Sequence, residues 1–153
     1  MPRPGLLGRL FGGLGRRPVR QAGAIPYAVR DGAVVVLLIT SRRTGRWIFP
    51  KGSLIEGLDE PAAAAREAWE EAGVRGRVDP VCLGLHRSYK MRGPRPAPLE
   101  IAMYPLRVEH EADDWPERDQ RRRCWAPLAE ARRRVRDRDL VRMIDRLAET
   151  AAS

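Results

Sequence analysis

The sequence predicts an α/β fold in which helices pack on a mixed sheet. Three observations predict it. Strand-length apolar runs come first, one alanine-rich helical segment follows, then further strand-like runs, then two charged helical segments. No segment repeats, and 153 residues suit one domain with room for one real core. The apolar share, 43%, is that of an ordinary globular protein, and no run is long and apolar enough to span a membrane as a helix.

The elements follow from local chemistry. Residues 1–20, rich in Gly, Pro and Arg, read as a flexible basic tail, with a weak membrane-surface or partner contact as the sharper alternative. The domain then runs over residues 21–153. Ala22–Val29 and Ala33–Thr40 read as strands joined at Arg30-Asp31-Gly32, where Asp-Gly favours a hairpin turn. A polar loop "SRRTGR" leads to a short strand, Trp47–Pro50, and an irregular loop, Gly52–Leu58. Glu60–Ala72 is a helix with Asp59 as N-cap, Pro61 in its first turn and Gly73 as its stop. Arg77–Arg87 and Leu99–Val108 read as strands flanking a Pro-rich loop, "SYKMRGPRPAP". An acidic loop "EADDWPERDQ", a short strand in "RRRCWAP", and helices Pro127–Val135 and Asp139–Ala151 complete the chain.

Net charge is +9, and Lys51 and Lys90 are the only lysines among the basic residues. A surplus of this size points to polyanionic partners, and the planar arginine fork suits phosphate. A bias toward arginine codons is the competing explanation of the excess. Cys82 and Cys124 form neither a CxxC pair nor a zinc spacing, so the expectation is two free thiols in a reducing cytoplasm.

The stretch "PKGSLIEGLDEPAAAAREAWEEAGV" carries the chemistry. Glu67, Glu70 and Glu71 stand three and four residues apart, so their carboxylates are expected on one helix face. Like charges at that spacing cost about a few tenths of a kcal/mol per pair. Mg²⁺ or Mn²⁺ would offset the cost, because hard cations use a few carboxylates together with substrate phosphates. The alanines make the helix slim enough to lie close to a sheet, with Trp69 anchoring another side. Gly52 and Gly57 let the preceding loop bring bare backbone to a ligand. Taken alone, "EAWEEAG" reads first as a solvated acidic face, and the whole stretch changes that reading.

The whole stretch resembles the Nudix hydrolase motif, with Gly52, Arg66, Glu67, Glu70, Glu71, Gly73 and Val74 at matching spacing. The likeness spans about Gln21 to Ala151. It implies an α/β/α sandwich with a mixed central sheet and hydrolysis of a diphosphate linked to another moiety. It further implies Glu67 and Glu71 as Mg²⁺ or Mn²⁺ ligands, with Glu70 as metal ligand or general base. Arg66 would orient a catalytic glutamate, and the Gly52 carbonyl would be a further ligand. The chain departs from the pattern at Leu58, where the motif has a glutamate; Glu56 or Glu60 are candidates to offset it, and Glu100 is a possible extra ligand.

"LLITSRRTGRWIFPKG", "DDWPE" and "RRRCW" look most like the diphosphoinositol polyphosphate phosphohydrolase branch, which also cleaves dinucleoside polyphosphates. By that likeness Arg20, Arg42, Arg43, Lys51, Arg87, Lys90, Arg92, Arg122 and Arg123 are candidates to grip a phosphorylated small molecule. Two alternatives stand beside this reading: an RNA 5′-end or nucleotide pyrophosphohydrolase, and a degenerate domain that binds without cleaving. RNA suits the charge, but aromatic residues are only 6% of the chain, which limits base stacking. His86 is a weaker catalytic candidate, and His110 lies beside acidic residues. Oligomeric state is left open by the sequence.

Overall fold

The structure is a computed structural model that describes residues 17–151. Residues 1–16, most of the expected tail, lie outside the described residues. The elements are β1 (Val19–Arg30), β2 (Ala33–Thr40), β3 (Trp47–Ile48), β4 (Lys51–Ser53), α1 (Glu60–Ala72), β5 (Val74–Val78), β6 (Gly84–Arg92), β7 (Arg95–Glu111), one 3₁₀ turn (Arg118–Gln120), β8 (Arg123–Pro127), α2 (Leu128–Val135) and α3 (Arg138–Ala151).

The eight strands form one mixed sheet, in the order β3-β2-β1-β7-β5. β4 pairs with β1, β6 with β7, and β8 with β2. β1 and β7 run parallel, from Val19 opposite Leu99 to Tyr27 opposite Arg107; the other pairs are antiparallel. Each face of the sheet has its own core. On one, α1 packs Ala63, Ala64, Ala68 and Ala72 onto Ala22, Ala24, Leu37 and Ala102. On the other, α2 and α3 cover Ile25, Val36, Leu38 and Ile101 with Ala131, Leu140, Met143, Ile144 and Leu147. The predicted α/β/α layering is therefore present.

Several boundaries differ from the sequence reading. β1 begins at Val19, so Val19 and Arg20 belong to the sheet and not to a tail. The expected strand Trp47–Pro50 breaks after Ile48: β3 pairs with β2, while β4, which contains Gly52, pairs with β1. The expected strand Arg77–Arg87 is split. Pro80 has no N–H to offer, and the Asp79 carboxylate accepts the Val81 N–H at 2.8 Å, turning the chain.

The Pro-rich loop is instead a β-hairpin, turning at Gly93-Pro94 between Arg92 and Arg95. Gly93 has φ 60, the left-handed conformation that a two-residue II′ turn needs at its first position. Its prolines fit because of strand alternation. The Arg87 N–H points away from β7, to Asp139. By the period of two, the N–H groups of Tyr89 and Met91 point away as well. Their partners Pro98 and Pro96 then occupy non-hydrogen-bonded positions, where no N–H is missed.

α1 is held at both ends. The Asp59 side chain accepts the Ala62 N–H at 2.9 Å. Gly73 ends the helix at φ 68, and a Cβ there would lie 2.6 Å from the Trp115 ring. Gly73→Ala should therefore combine left-handed strain with displacement of Trp115, losing about 2 kcal/mol or more of unfolding free energy. Urea titration of the purified variant measures it.

Candidate active site

The site grows from α1. Its small face lies close to β1, so the adjacent face reaches β4. Glu67 approaches Gly52 so closely that a Cβ there would lie 2.4 Å from the Glu67 carboxyl carbon. The Lys51 backbone N–H donates to Glu71 at 3.3 Å. Glu67, Glu71, Lys51 and Gly52 line one cavity of about 560 Å³.

Glu70 is not among the residues that line it. Successive helical residues turn by about 100°, which sets Glu67 and Glu71 close together and Glu70 on the flank. There Arg66 donates to the Glu70 carboxylate at 3.2 Å. The three carboxylates thus divide, two inward and one at the edge.

The acidic loop completes the wall. The last carbonyls of α1 have no donors within the helix. Trp115 Nε1 donates to the Glu71 carbonyl at 3.2 Å, the Glu117 N–H to that of Glu70 at 3.0 Å, and Arg123 to that of Ala72 at 3.0 Å. This docking brings Glu117 and Arg121 to the cavity. The Arg121 side chain is 7% exposed. It lies 3.3 Å from Glu71 and 3.2 Å from Glu117, and it donates to the Thr40 carbonyl at 3.0 Å.

The electrostatics are dominated by burial. Glu71 is 3% exposed, and burial pushes it up to about 7. Arg121 and the Lys51 N–H pull the other way, while Glu67 and Glu117 add to the rise. Glu67 is raised by burial and then by the charges of Glu70 and Glu117. Burial lowers Lys51, against the pull of Glu71.

Of the basic candidates, Arg42, Arg43, Lys51 and Lys90 line the cavity. The others do not. Arg20 bonds Glu60 at 2.9 Å and Glu100 at 2.6 Å, and neither acid lines the cavity. Arg123 caps α1 and stacks on Trp115 at 3.9 Å. Arg87 lies in a separate cleft beside α3, Arg122 beside the loop 40–45, and Arg92 next to the hairpin turn. His86 pairs with Asp137 at 3.1 Å. Leu58 is 40% exposed and does not line the cavity, and Glu56 is likewise exposed outside it.

Among the lining residues that escaped sequence reasoning, four bear most on the site's chemistry. Arg121 was hidden in a run of three arginines, and Glu117 in an acidic loop. Tyr89 is 61% exposed on the rim. Gln21 is 5% exposed, and its Oε1 has no hydrogen-bond partner. The expected first strand began at Ala22, so Gln21 carried no signal.

A hard cation fits this donor set. The Glu67 carboxylate has no hydrogen bond or ion pair among the described residues. Gln21 Oε1 is a second unsatisfied hard oxygen, and Gly52 leaves its backbone open toward Glu67. Among the described residues no three His, Cys, Asp or Glu side chains close on one point. That incomplete shell suits an ion that keeps waters or takes phosphate oxygens.

Protonated Glu71 is favoured in the folded state. Its contribution to stability is full below about pH 4.5 and is lost as pH rises through 7. In EDTA, wild type should lose up to about 3 kcal/mol relative to Glu71→Gln between pH 5 and pH 8, at about 1.4 kcal/mol per pKa unit. Denaturant unfolding of both proteins at the two pH values measures the change in their gap.

Comparison with known proteins agrees with this geometry. A family model described as the NUDIX domain matches residues 17–147. Nudix hydrolase 17, mitochondrial, of Arabidopsis thaliana is 36% identical over 148 residues, covering 91% of this chain and 78% of that protein. Human diphosphoinositol polyphosphate phosphohydrolase 3-beta is 38% identical over 82 residues, covering 53% of this chain and 46% of that protein, too little to place this chain in that branch. A Caenorhabditis elegans Ap4A hydrolase in a binary complex superposes with a TM-score of 0.66 at 22% identity, covering 88% of this chain and 98% of that one, a likeness of fold. A match over nearly the whole sheet and its helices, beside a relative more than a third identical, establishes that this chain belongs to the Nudix hydrolase family.

Proposed function

We propose that the protein hydrolyses a diphosphate linkage in a polyphosphorylated substrate, using Mg²⁺ or Mn²⁺. One observation carries the reading: a single cavity holds Glu67, Glu71 and Gly52 together with Arg42, Arg43, Lys51 and Lys90. Glu67, Glu71 and the Gly52 carbonyl would hold the ion. When bound, it supplies charge neutralisation for the diphosphate and a more acidic water. Glu70 adjoins the set: its charge acts on Glu67, and its carboxylate is held by Arg66 on the flank. The cations bind and orient the phosphates, and Lys51, next to Gly52, feels the charges of Glu71 and Glu67.

Tyr89 favours a nucleoside-bearing substrate, because its exposed ring on the rim offers a stacking surface for a base. Dinucleoside polyphosphates are the first reading on that ground. Diphosphoinositol polyphosphates are the second, supported by the partial likeness to the human enzyme. A triphosphorylated RNA end shares the same chemistry at its terminus and belongs in the same turnover screen.

Glu67→Gln and Glu71→Gln each remove a charged oxygen while keeping shape. Each should cut turnover about 10²–10³-fold at limiting Mg²⁺. Undiminished turnover in either would remove the assignment. Neutralising Lys51, Arg43 or Lys90 should raise KM for diadenosine tetraphosphate about tenfold. The penalty should be smaller for ADP-ribose, and salt should inhibit the longer substrate more. Equal losses in kcat/KM for both substrates would show that these cations are not a polyphosphate grip.

A further inference from the structure

A second cleft, of about 190 Å³, lies where β6 meets α3. Its charged lining is Arg87, Arg142 and Arg146 against one acid, Asp139. The start of α3 is docked on β6 by the His86–Asp137 pair at 3.1 Å and by the Asp139 carboxylate, which accepts the Arg87 N–H at 3.0 Å. That bond occupies the cleft's acid on a neutral donor. Neither the Arg87 nor the Arg142 guanidinium has an acid partner among the described residues.

Two features make the cleft a built one. Arg146 is pinned by donating to the Leu83 carbonyl, and Gly84 makes room for it: a Cβ at Gly84 would lie 3.0 Å from the Arg146 guanidinium. Arg138, Arg142 and Arg146 also recur at every fourth residue of α3, so like charges stack along one stripe. The cost of that stacking is offset when an anion binds among them. The buried face of α3, Leu140, Met143, Ile144 and Leu147, is separate from this stripe.

The cleft is connected to the glutamate cavity by a single strand. β6 carries Arg87 in the cleft, then Tyr89, Lys90 and Met91 on the cavity. At about 3.3 Å per residue, Arg87 and Lys90 stand about 10 Å apart along the strand, with side chains on opposite faces, so a molecule that reaches both passes around the free edge of β6, which among the described residues pairs only with β7. We propose that the β6–α3 cleft binds a remote phosphate group of the same extended substrate whose diphosphate lies against Gly52, Glu67 and Glu71. The inference rests on the reading above and narrows it to substrates long enough to span both places. A compact molecule with a single diphosphate reaches only one.

The test compares wild type with Arg142→Gln and with the double variant Arg87→Gln/Arg142→Gln. All three are assayed on diadenosine pentaphosphate and on ADP-ribose. The ratio of kcat/KM, long over short, should fall about tenfold in the single variant and further in the double, one charge-assisted contact at a time. In EDTA, calorimetry should show the same loss of affinity for diadenosine pentaphosphate without any turnover. An unchanged ratio and unchanged affinity overturn the proposal while leaving the hydrolase reading intact. Tripolyphosphate that binds wild type and not the double variant, with the kinetic ratio unchanged, also overturns it, because the cleft would then serve a separate anion. If wild type cleaves neither substrate, the hydrolase reading fails on its own, and the calorimetric comparison still decides the cleft.

Discussion

The C-terminal turn of α1 sets the rest of the site. Its last carbonyls must find donors outside the helix or remain unsatisfied in a buried setting, at a cost of about 1–3 kcal/mol each. The segment 112–123 supplies those donors through Trp115, the Glu117 N–H and Arg123. Arg123 adds a positive charge at the negative end of the helix dipole, and its guanidinium carbon lies 3.9 Å over the Trp115 ring. Gly73 is the hinge of the arrangement, since only a residue without a side chain leaves space for the Trp115 ring. Glu117 and Arg121 reach the cavity because the residues around them are occupied in capping a helix.

That docking also explains how acids are tolerated there. Glu71 is removed from water, and Arg121 at 3.3 Å restores only part of what is lost. A buried pair of this kind is not a source of net stability, because desolvation of both ions rivals their attraction. Arg121 donates hydrogen bonds to Glu117 and the Thr40 carbonyl and forms an ion pair with Glu71, so it neutralises part of the wall without filling it. Glu67 receives no such partner. Its carboxylate lies against bare backbone at Gly52, beside two other negative charges. The cavity thus combines the unpartnered Glu67 carboxylate with several cations, which a metal ion and a polyphosphate together would satisfy.

What the sequence made legible was mostly local. Asp59, Pro61, the alanine run and Gly73 are short-range signals, and α1 begins and ends where they place it. The Asp-Gly turn between β1 and β2 is of the same kind, with Asp31 and Gly32 at positive φ. The β6–β7 hairpin was missed because prolines read as loop formers; they are harmless only when every second residue faces no partner, which depends on pairing that composition does not reveal. Arg121 and Arg122 are neighbours of identical type, yet one has a buried side chain and the other is exposed. Their difference is made by Thr40 and by α1, far away in the chain. Gln21 was equally illegible, since nothing local distinguishes a strand glutamine facing solvent from one buried beside a cavity.

The arginine surplus acquires a different meaning once each guanidinium is placed. Arg20 ties the start of β1 to the start of α1 and to β7 through Glu60 and Glu100. Arg75 covers Trp69, and Arg30 covers Trp125. Arg132 and Arg134 pair with Asp145 and Glu130. These residues use arginine for its planar fork and its stacking face, and lysine would serve poorly in several of them. A count of basic residues therefore overstates the phosphate-binding surface. Among the basic residues that line the two clefts, Arg43, Lys51 and Lys90 beside the glutamates, and Arg87 on β6 and Arg142 on α3, have no ion pair among the described residues, whereas Arg42 reaches Glu117 at 3.5 Å. The set is spread over the loop after β2, β4, β6 and α3. Its shape, more than the net charge of the chain, would decide which phosphorylated molecule is held with its diphosphate against Glu67 and Glu71.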